Sequence, residues 1–282
     1  MLAQDKFSAL LETLRREDLI AIAFSGGIDS TLLLKAALDA LGTRRVLAVT
    51  VVSPLLPAFD RKRSQMLTKH LGSRQVLVPC AVLQNQDVVR NDAQRCYYCK
   101  RLLFSKALEA AREHGLQHLY DGSNDDDNQD YRPGRRAAQE LGIRSPLLEV
   151  GLTKQEIRHL AKTLMLPNWN QPADSCLATR IVPGTPITLE RLTQVESCEA
   201  ALRHGGFTGT RARHHGDLVR LEVSQGDFQR LLRDPVRTAL LAACKAAGFR
   251  FVTLDLDGYR MGSQNLSDPA PKELDDSTEP FS

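Results

Sequence analysis

Two groups of residues in this sequence are of the kinds that bind ligands or react in enzymes. One is the run SGGIDS at Ser25–Ser30, and the other consists of Cys96, Cys99 and Cys176. Glycines and hydroxyl side chains at the start of a helix bind anions, because backbone N–H groups and the helix dipole point there. Cysteines supply thiolates for nucleophilic attack, sulfur transfer or metal binding. The pair of features therefore indicates phosphate binding combined with sulfur chemistry.

The SGGIDS run needs a strand before it and a helix after it. The apolar run at 19–24 is typical of a buried strand, and 31–41 has the apolar spacing of a helix. Since no Gly-Lys-Ser/Thr follows, the run is not a Walker A loop. It matches the SGGxDS pattern of PP-loop enzymes, which split ATP into AMP and pyrophosphate. The two serines suit phosphate oxygens and the aspartate suits a bridging magnesium ion. The candidate ATP and pyrophosphate ligands of the loop are Ser25, Gly26, Gly27, Asp29 and Ser30.

The three cysteines could serve in two ways. Three thiolates can hold a 4Fe–4S cluster with one open iron, whereas a structural zinc site needs a fourth ligand that the spacing does not supply. Alternatively, Cys96 and Cys99 are packing residues and Cys176 alone reacts, with Arg180 favouring its thiolate. Spacing leaves both readings open. The remaining cysteines are predicted to be small core residues: Cys80, Cys198 and Cys244.

The elements that must position these residues alternate between strand and helix, which predicts an α/β fold with a doubly wound parallel sheet. We expect a PP-loop domain over 1–182, a smaller C-terminal α+β domain over 187–262 and a disordered tail over 263–282, with a hinge at the intervening PGTP. Helices are predicted over 5–17, 31–41, 61–71, 100–114, 153–164, 188–204 and 227–247, and strands over 19–24, 46–52, 75–78, 118–120, 211–216, 218–223 and 251–256.

Composition limits the class of protein. The 282 residues carry a net charge of +3, of which the tail contributes −4 from five acids and one lysine, so residues 1–262 carry +7. A modest positive excess suits an anionic nucleotide. The charged N-terminus has no apolar signal region, and no apolar run is long enough to span a membrane. The sequence thus predicts a cytoplasmic protein, in which clustered cysteines indicate catalysis or metal binding rather than disulfides.

Several longer motifs together resemble one family. The segments are SGGIDSTLLLKAAL, CYYCKRLLF, YDGSNDDDNQDYRPGRRA, NWNQPADSCLATR, RARHHGDLVRLEV and GFRFVTLDLDGYRMGS. They are similar to the LarE family of ATP-dependent sulfurtransferases, which convert pyridinium-3,5-biscarboxylic acid mononucleotide into its bisthiocarboxylic form. That product becomes the nickel-pincer cofactor of lactate racemase. The resemblance covers nearly all of the chain from Phe7 to Gly262.

The resemblance implies roles for individual residues. It makes Cys176 the residue that donates or carries sulfur. Asp130 and Arg132 in DYRPGRR, together with Arg180, are expected near ATP, pyrophosphate or magnesium. Family members with CxxC and a third cysteine look like cluster-binding enzymes that use supplied sulfide, whereas members without CxxC sacrifice their own cysteine. We therefore expect a 4Fe–4S cluster on Cys96, Cys99 and Cys176. The resemblance also implies that a group of charged side chains binds the substrate or its phosphate, namely Glu199, Arg211, Arg213 and Asp234.

The resemblance also implies a homohexamer built as a trimer of dimers and a small-molecule nucleotide substrate. One alternative is a tRNA thiolase of the same superfamily. The nine Phe, five Tyr and one Trp form no basic, aromatic-interleaved module, which argues against nucleic acid as a partner. A second alternative is a sulfurtransferase that consumes Cys176 without a cluster. A third is a non-catalytic iron–sulfur or nucleotide-sensing protein.

Overall fold

The computed structural model describes residues 2–128, 133–172 and 175–260. Its architecture is α/β, with a four-stranded parallel sheet followed along the chain by a three-stranded sheet. The strands are β1 Ile20–Ala23, β2 Val46–Val52, β3 Arg74–Pro79, β4 Leu119–Tyr120, β5 Arg211–His215, β6 Leu218–Glu222 and β7 Phe251–Leu254. The helices are α1 Ala3–Arg15, α2 Ile28–Leu41, α3 Ala58–His70, α4 Gln86–Val89, α5 Arg95–Glu113, α6 Pro133–Glu140, α7 Pro146–Glu149, α8 Lys154–Thr163, α9 Leu189–His204, α10 Phe228–Leu232 and α11 Val236–Ala246.

The larger sheet has the strand order β3-β2-β1-β4, and every neighbouring pair is parallel. Alternate residues of β1 pack into different cores. Ile20 and Ile22 join helices α1, α2 and α8, whereas Ala21 joins α5 on the opposite face. Helices therefore cover both faces, which confirms the predicted doubly wound sheet. Because the strands are parallel, their carboxyl ends lie along one edge, where such folds bind ligands.

A third core joins the two sheets to the segment that carries Cys176. It contains Cys99 from α5, Leu177 after Cys176, and Ala212 of β5. The Leu177 N–H donates to the Leu55 carbonyl at 2.9 Å, and Ile181 forms a parallel bridge with His214 of β5. The segment is thus held between the large sheet's loops and the small sheet. The domain boundary between residues 182 and 187 stays a prediction.

Two predicted helices differ from the observed ones. Helix α5 begins at Arg95 rather than at residue 100, so Cys96 and Cys99 lie in its first two turns. The single helix expected over 227–247 is wrong, because α10 ends at Leu232 and α11 begins after Pro235. Proline removes a backbone donor and clashes with the preceding turn. Among the described residues, no helix is long and apolar enough to cross a membrane.

Candidate active site

The phosphate loop connects the end of β1 to the start of α2. Gly26 has a φ of 77°, and a Cβ there would lie 3.1 Å from the Ser64 Cα of α3, so only glycine fits without strain. The Ser25 and Ser30 hydroxyls lie 3.2 Å apart, and the Gly27 N–H faces Ser25 Oγ at 3.3 Å. Hydroxyl and backbone donors therefore converge at the first turn of a 14-residue helix, as an anion site requires.

This loop forms one wall of a cavity of about 620 Å³ at the carboxyl edge of the large sheet. The other walls come from the end of β2, the residues after β4, the first turns of α5, and the segment that carries Cys176. Ser25, Asp29 and Ser30 face the same space as Cys99 and Cys176. The structure thus brings four of the five predicted ligands of the phosphate loop, and two of the three predicted sulfur-chemistry residues, into one cavity that is large enough for a nucleotide-sized ligand.

Asp29 has one satisfied and one unsatisfied carboxylate oxygen. Its Oδ2 accepts from Lys154 Nζ at 2.5 Å, whereas its Oδ1 is buried and has no hydrogen-bond partner among the described residues. Burial raises the pKa of Asp29, and the Lys154 ammonium opposes that rise. A buried, partnerless carboxylate oxygen is a good ligand for Mg²⁺, which takes one or two carboxylates and completes its shell with water and phosphate oxygens.

The residues after β4 support the phosphate loop from the opposite side. A Cβ on Gly122 would lie 2.9 Å from the Ser30 backbone nitrogen. Asp121 accepts hydrogen bonds from the Ser123 and Ser145 hydroxyls at 2.7 and 2.6 Å. The sequence DGS after the predicted strand 118–120 indicates a turn at Gly122. The spacing of residues alone does not predict that this turn packs against the phosphate loop.

Lys154 is a cavity residue that sequence reasoning missed. It is the first residue of α8. The sequence TKQE at 153–156 has the pattern of a capping box, and the box is present, with Thr153 accepting from the Glu156 N–H. Its own N–H donates to an Asp126 carboxylate at 2.5 Å. A run of acidic residues such as 125–127 is by its charge alone typical of a solvated loop. Here Asp126 and Asp127 instead line the cavity, and Asp126 holds the start of α8.

The three predicted cluster cysteines differ in exposure. Cys96 is exposed, Cys99 is 8% exposed, and Cys176 is intermediate. Burial, and then the negative charges of Cys176 and Cys96 as thiolates, raise the pKa of Cys99 to about 12. Arg95 lies among them, since its guanidinium donates to Cys96 Sγ at 3.4 Å and to the Ala178 carbonyl at 3.3 Å. The three thiols are therefore close enough to interact electrostatically.

No group of three His, Cys, Asp or Glu side chains in residues 2–128, 133–172 and 175–260 is arranged to hold a single metal ion. The cluster assignment thus stays a prediction. The other cysteines behave largely as expected, with Cys198 and Cys244 fully buried in the third core. Cys80 is buried in the same core, and its charge also contributes to the raised pKa of Cys99.

Arg180 lies behind the segment that carries Cys176. It is 2% exposed and forms a bidentate ion pair with Glu199, at 2.7 and 3.2 Å. Its Nη1 donates to the carbonyls of Ser175 and Cys176 at 2.9 and 3.3 Å. This arrangement supports the backbone of Cys176, and contact between Arg180 and phosphate stays a prediction.

The predicted substrate cluster is divided by the fold. Glu199, Arg211 and Arg213 are all buried, and the Glu199 carboxylate accepts from the Ala212 N–H between the two arginines at 3.2 Å. Arg213 forms a bidentate pair with Glu222, at 2.9 Å for both contacts. Asp234 lies apart on the exposed surface, where Thr238 and Arg237 lower its pKa. Asp130 and Arg132 lie outside the described residues.

Comparison with known proteins places this geometry in context. No family model matches the chain. It is 37% identical to an uncharacterized protein of Synechocystis over 262 residues, which are 93% of this chain and 97% of the relative. It is 36% identical to the pyridinium-3,5-bisthiocarboxylic acid mononucleotide synthase of Lactiplantibacillus plantarum, over 92% of this chain and 94% of that enzyme. A glutamine-hydrolyzing GMP synthase of Aeropyrum pernix is 30% identical over 71% of this chain and 42% of its own length.

Proposed function

Because this chain belongs to the LarE family of enzymes, that of the pyridinium-3,5-bisthiocarboxylic acid mononucleotide synthase, we propose that it is an ATP-dependent sulfurtransferase. Its substrate would be pyridinium-3,5-biscarboxylic acid mononucleotide, and its product a precursor of a nickel-pincer cofactor. The observation that carries the proposal is the shared cavity, which the phosphate loop and Cys176 both line. Adenylation and sulfur transfer need both sets of groups within reach of one carboxyl carbon.

The first half of the reaction uses the phosphate loop. A substrate carboxylate oxygen attacks the α-phosphorus of ATP, the bond to the β-phosphate oxygen breaks, and pyrophosphate leaves. Backbone N–H groups from Gly26 to Ser30 and the Ser25 and Ser30 hydroxyls bind the phosphates. Asp29, whose buried Oδ1 has no hydrogen-bond partner within residues 2–128, 133–172 and 175–260, would hold Mg²⁺, which neutralises charge on the phosphates when bound. The resulting acyl-adenylate has AMP as a good leaving group.

The second half places sulfur on the activated carbon. A sulfur nucleophile attacks the carbonyl carbon, the bond to AMP breaks, and the carbon retains sulfur in place of oxygen. We assign to Cys176 the role of holding this sulfur beside the substrate, since its loop borders the cavity and is held by Arg180 and Glu199. If Cys176 itself attacked, its Cβ–Sγ bond would also have to break to release the thiocarboxylate, and the residue would remain as dehydroalanine. Cys99 lines the cavity too, but in the metal-free chain its raised pKa keeps it a neutral thiol near pH 7.

For the source of sulfur we propose a 4Fe–4S cluster held by Cys96, Cys99 and Cys176. Cys99 and Cys176 line the cavity, and the Arg95 guanidinium interacts electrostatically with these two thiols and with Cys96. The donor set suits such a cluster, because each thiolate of a cubane binds a different iron and the three need not converge on one ion. When bound, the cluster would offer an open iron that accepts sulfide. Arg95 would orient Cys96 and offset the negative charge of the thiolates.

The proposed function is tested by incubating the anaerobically purified chain with ATP, Mg²⁺ and pyridinium-3,5-biscarboxylic acid mononucleotide. We expect substrate-dependent release of pyrophosphate and AMP, and replacement of a carboxylate oxygen by sulfur in the product's mass spectrum. Release of pyrophosphate with tRNA but not with the mononucleotide would favour a tRNA thiolase and contradict the proposal. So would the absence of pyrophosphate with either acceptor.

The two sulfur sources give different protein products. Consumption of Cys176 would leave that residue lighter by the elements of hydrogen sulfide after one turnover, whereas the cluster route leaves it intact. Iron and acid-labile sulfide counted per chain test the ligands directly. Loss of both in Cys96→Ala and Cys99→Ala, but not in Cys80→Ala, is the expected result, and full iron in the first two variants would contradict it.

We also propose that the chain assembles as a homohexamer, as the family resemblance implies. Native mass spectrometry of the purified chain tests this. A single species of six copies is expected, and a monomer at micromolar concentration would contradict it.

A further inference from the structure

We propose that Lys154 takes part in the reaction: its ammonium neutralises Asp29 in the free enzyme and moves to a phosphate oxygen when Mg²⁺ takes Asp29. The inference rests on the proposed use of ATP in this cavity and adds a substrate-contacting residue to it. It follows from three features of the structure, namely the position of Lys154, the state of the two Asp29 oxygens and the reach of a lysine side chain.

The backbone of Lys154 is held in place, whereas its side chain is partly exposed to the cavity. The capping box of α8 and the Asp126 carboxylate hold the first turn of the helix in place. The side chain borders the same cavity as the phosphate loop and is 30% exposed. Its ammonium lies 2.5 Å from Asp29 Oδ2 across a sequence separation of 125 residues. The fold therefore places the Lys154 ammonium, which belongs to a helix distant in sequence, beside the phosphate loop.

Only one oxygen of the Asp29 carboxylate, Oδ2, contacts Lys154. Its second oxygen, Oδ1, is buried without a hydrogen-bond partner in the described part of the chain. A divalent cation bound there would lie beside the Lys154 ammonium and repel it, because the two charges would share one carboxylate. The metal and the ammonium therefore compete for Asp29, and binding of the metal weakens the ion pair.

A displaced Lys154 has an anion within reach. The Ser25 and Ser30 hydroxyls, which mark the predicted phosphate position, lie in the same loop as Asp29 and line the same cavity. Lysine carries its charge on a flexible four-carbon stem with three donors, so it can leave the carboxylate for a phosphate oxygen without backbone movement. Lys154 would then stabilise the charge that grows on the leaving pyrophosphate.

This exchange has a signature that a purely structural ion pair lacks. Removing the ammonium frees Asp29 for a metal ion, so metal binding without nucleotide should strengthen. The same change takes a positive charge from the phosphates, so pyrophosphate binding should weaken. A lysine that only braced the loop would weaken both or change neither.

The test compares wild type with Lys154→Met, which keeps the stem and removes the charge, and Lys154→Arg, which keeps the charge. Lys35→Met is the matched control, because Lys35 pairs with Asp39 at the same 2.5 Å and has 29% exposure but lies on the outer side of α2. Mn²⁺ binding without nucleotide is measured by electron paramagnetic resonance. Binding of magnesium pyrophosphate is measured by calorimetry. Thermal unfolding checks that each variant is folded.

For Lys154→Met we expect Mn²⁺ to bind several-fold more tightly and magnesium pyrophosphate to bind about tenfold or more weakly, as for loss of a charge-assisted hydrogen bond. Lys154→Arg should retain most of the pyrophosphate affinity, and Lys35→Met should match wild type. If folded Lys154→Met binds pyrophosphate as tightly as wild type does, or binds Mn²⁺ more weakly, the role of Lys154 is wrong but the proposed function stands. Failure of wild type to bind magnesium pyrophosphate would overturn the proposed function as well.

Discussion

Arg180 and Glu199 form a buried bidentate ion pair directly behind Cys176, with Nε to Oε1 at 2.7 Å and Nη2 to Oε2 at 3.2 Å. The same guanidinium holds the carbonyls of Ser175 and Cys176. Since Glu199 belongs to α9, the pair ties the sulfur-bearing segment to the helix that packs against β5. The position of Cys176 therefore depends on two charged side chains, Arg180 and Glu199, that do not line the cavity.

Removing one member of this pair should destabilise the fold. Arg180→Met leaves the Glu199 carboxylate buried without its main partner, and we expect the free energy of unfolding to fall by about 3–5 kcal/mol. Urea unfolding at neutral pH measures the change. The double variant Arg180→Met with Glu199→Leu should recover much of the loss, because no unpaired charge remains. A single variant as stable as wild type would contradict this role.

Gly122 should tolerate no side chain. In Gly122→Ala the new Cβ would lie 2.9 Å from the backbone nitrogen of Ser30, and neither backbone can yield without moving the phosphate loop. We expect at least tenfold weaker binding of magnesium ATP and a loss of about 1–3 kcal/mol in unfolding free energy. Gly226→Ala is the control, since its Cβ would meet only the Ser224 hydroxyl at 3.6 Å. Equal nucleotide affinity in the two variants would refute the close-approach argument.

Cys99 should make stability depend on pH in the alkaline range. Burial raises its pKa to about 12 in the folded chain, whereas an unfolded cysteine titrates near about 8.5. The unfolded chain therefore loses this proton first, so the stability contribution is complete below about pH 8.5 and is lost as pH rises towards 12. For the metal-free, reduced protein, Cys99→Val should flatten unfolding free energy between pH 8 and pH 10. The variant and wild type having parallel pH profiles would count against the raised pKa.

Asp29 should be required for the adenylation half of the reaction. Asp29→Asn keeps the shape of the side chain but removes the charge that would hold magnesium and pair with Lys154. We expect substrate-dependent pyrophosphate release to fall by about a hundredfold or more, as when a group that stabilises transition-state charge is removed. Asp39→Asn, which breaks the other 2.5 Å lysine pair on α2, should leave the rate unchanged. Comparable rates in the two variants would remove Asp29 from the mechanism.

Sequence patterns predicted the parts of this fold that depend on local periodicity. The strand Val46–Val52 has the predicted bounds, and the capping box at Thr153 is present, because apolar runs and caps are determined by near neighbours. The start of α5 was placed too late, since CYYC reads as a metal motif rather than as a helical turn. The break before α11 was overlooked despite its proline.

The candidate site was predictable only in part, because its groups come from distant segments. The SGGIDS loop carries its own signal, but nothing local to Lys154 or Gly122 indicates that either approaches that loop. The burial of Arg211 and Arg213 could not be predicted either, since alternating charges on a strand are typical of a solvated face until other elements cover it.

In the proposed function, one cavity holds both the loop that supports adenylation and Cys176, which holds the sulfur for transfer. The most direct test is a single-turnover comparison of wild type and Cys176→Ser, with ATP, Mg²⁺ and the dicarboxylate mononucleotide, in which pyrophosphate and thiocarboxylate are counted separately. We predict that the variant releases pyrophosphate at a rate close to that of wild type but forms no thiocarboxylate. Thiocarboxylate formed by the variant at the wild-type rate, or loss of both products together, would contradict the account.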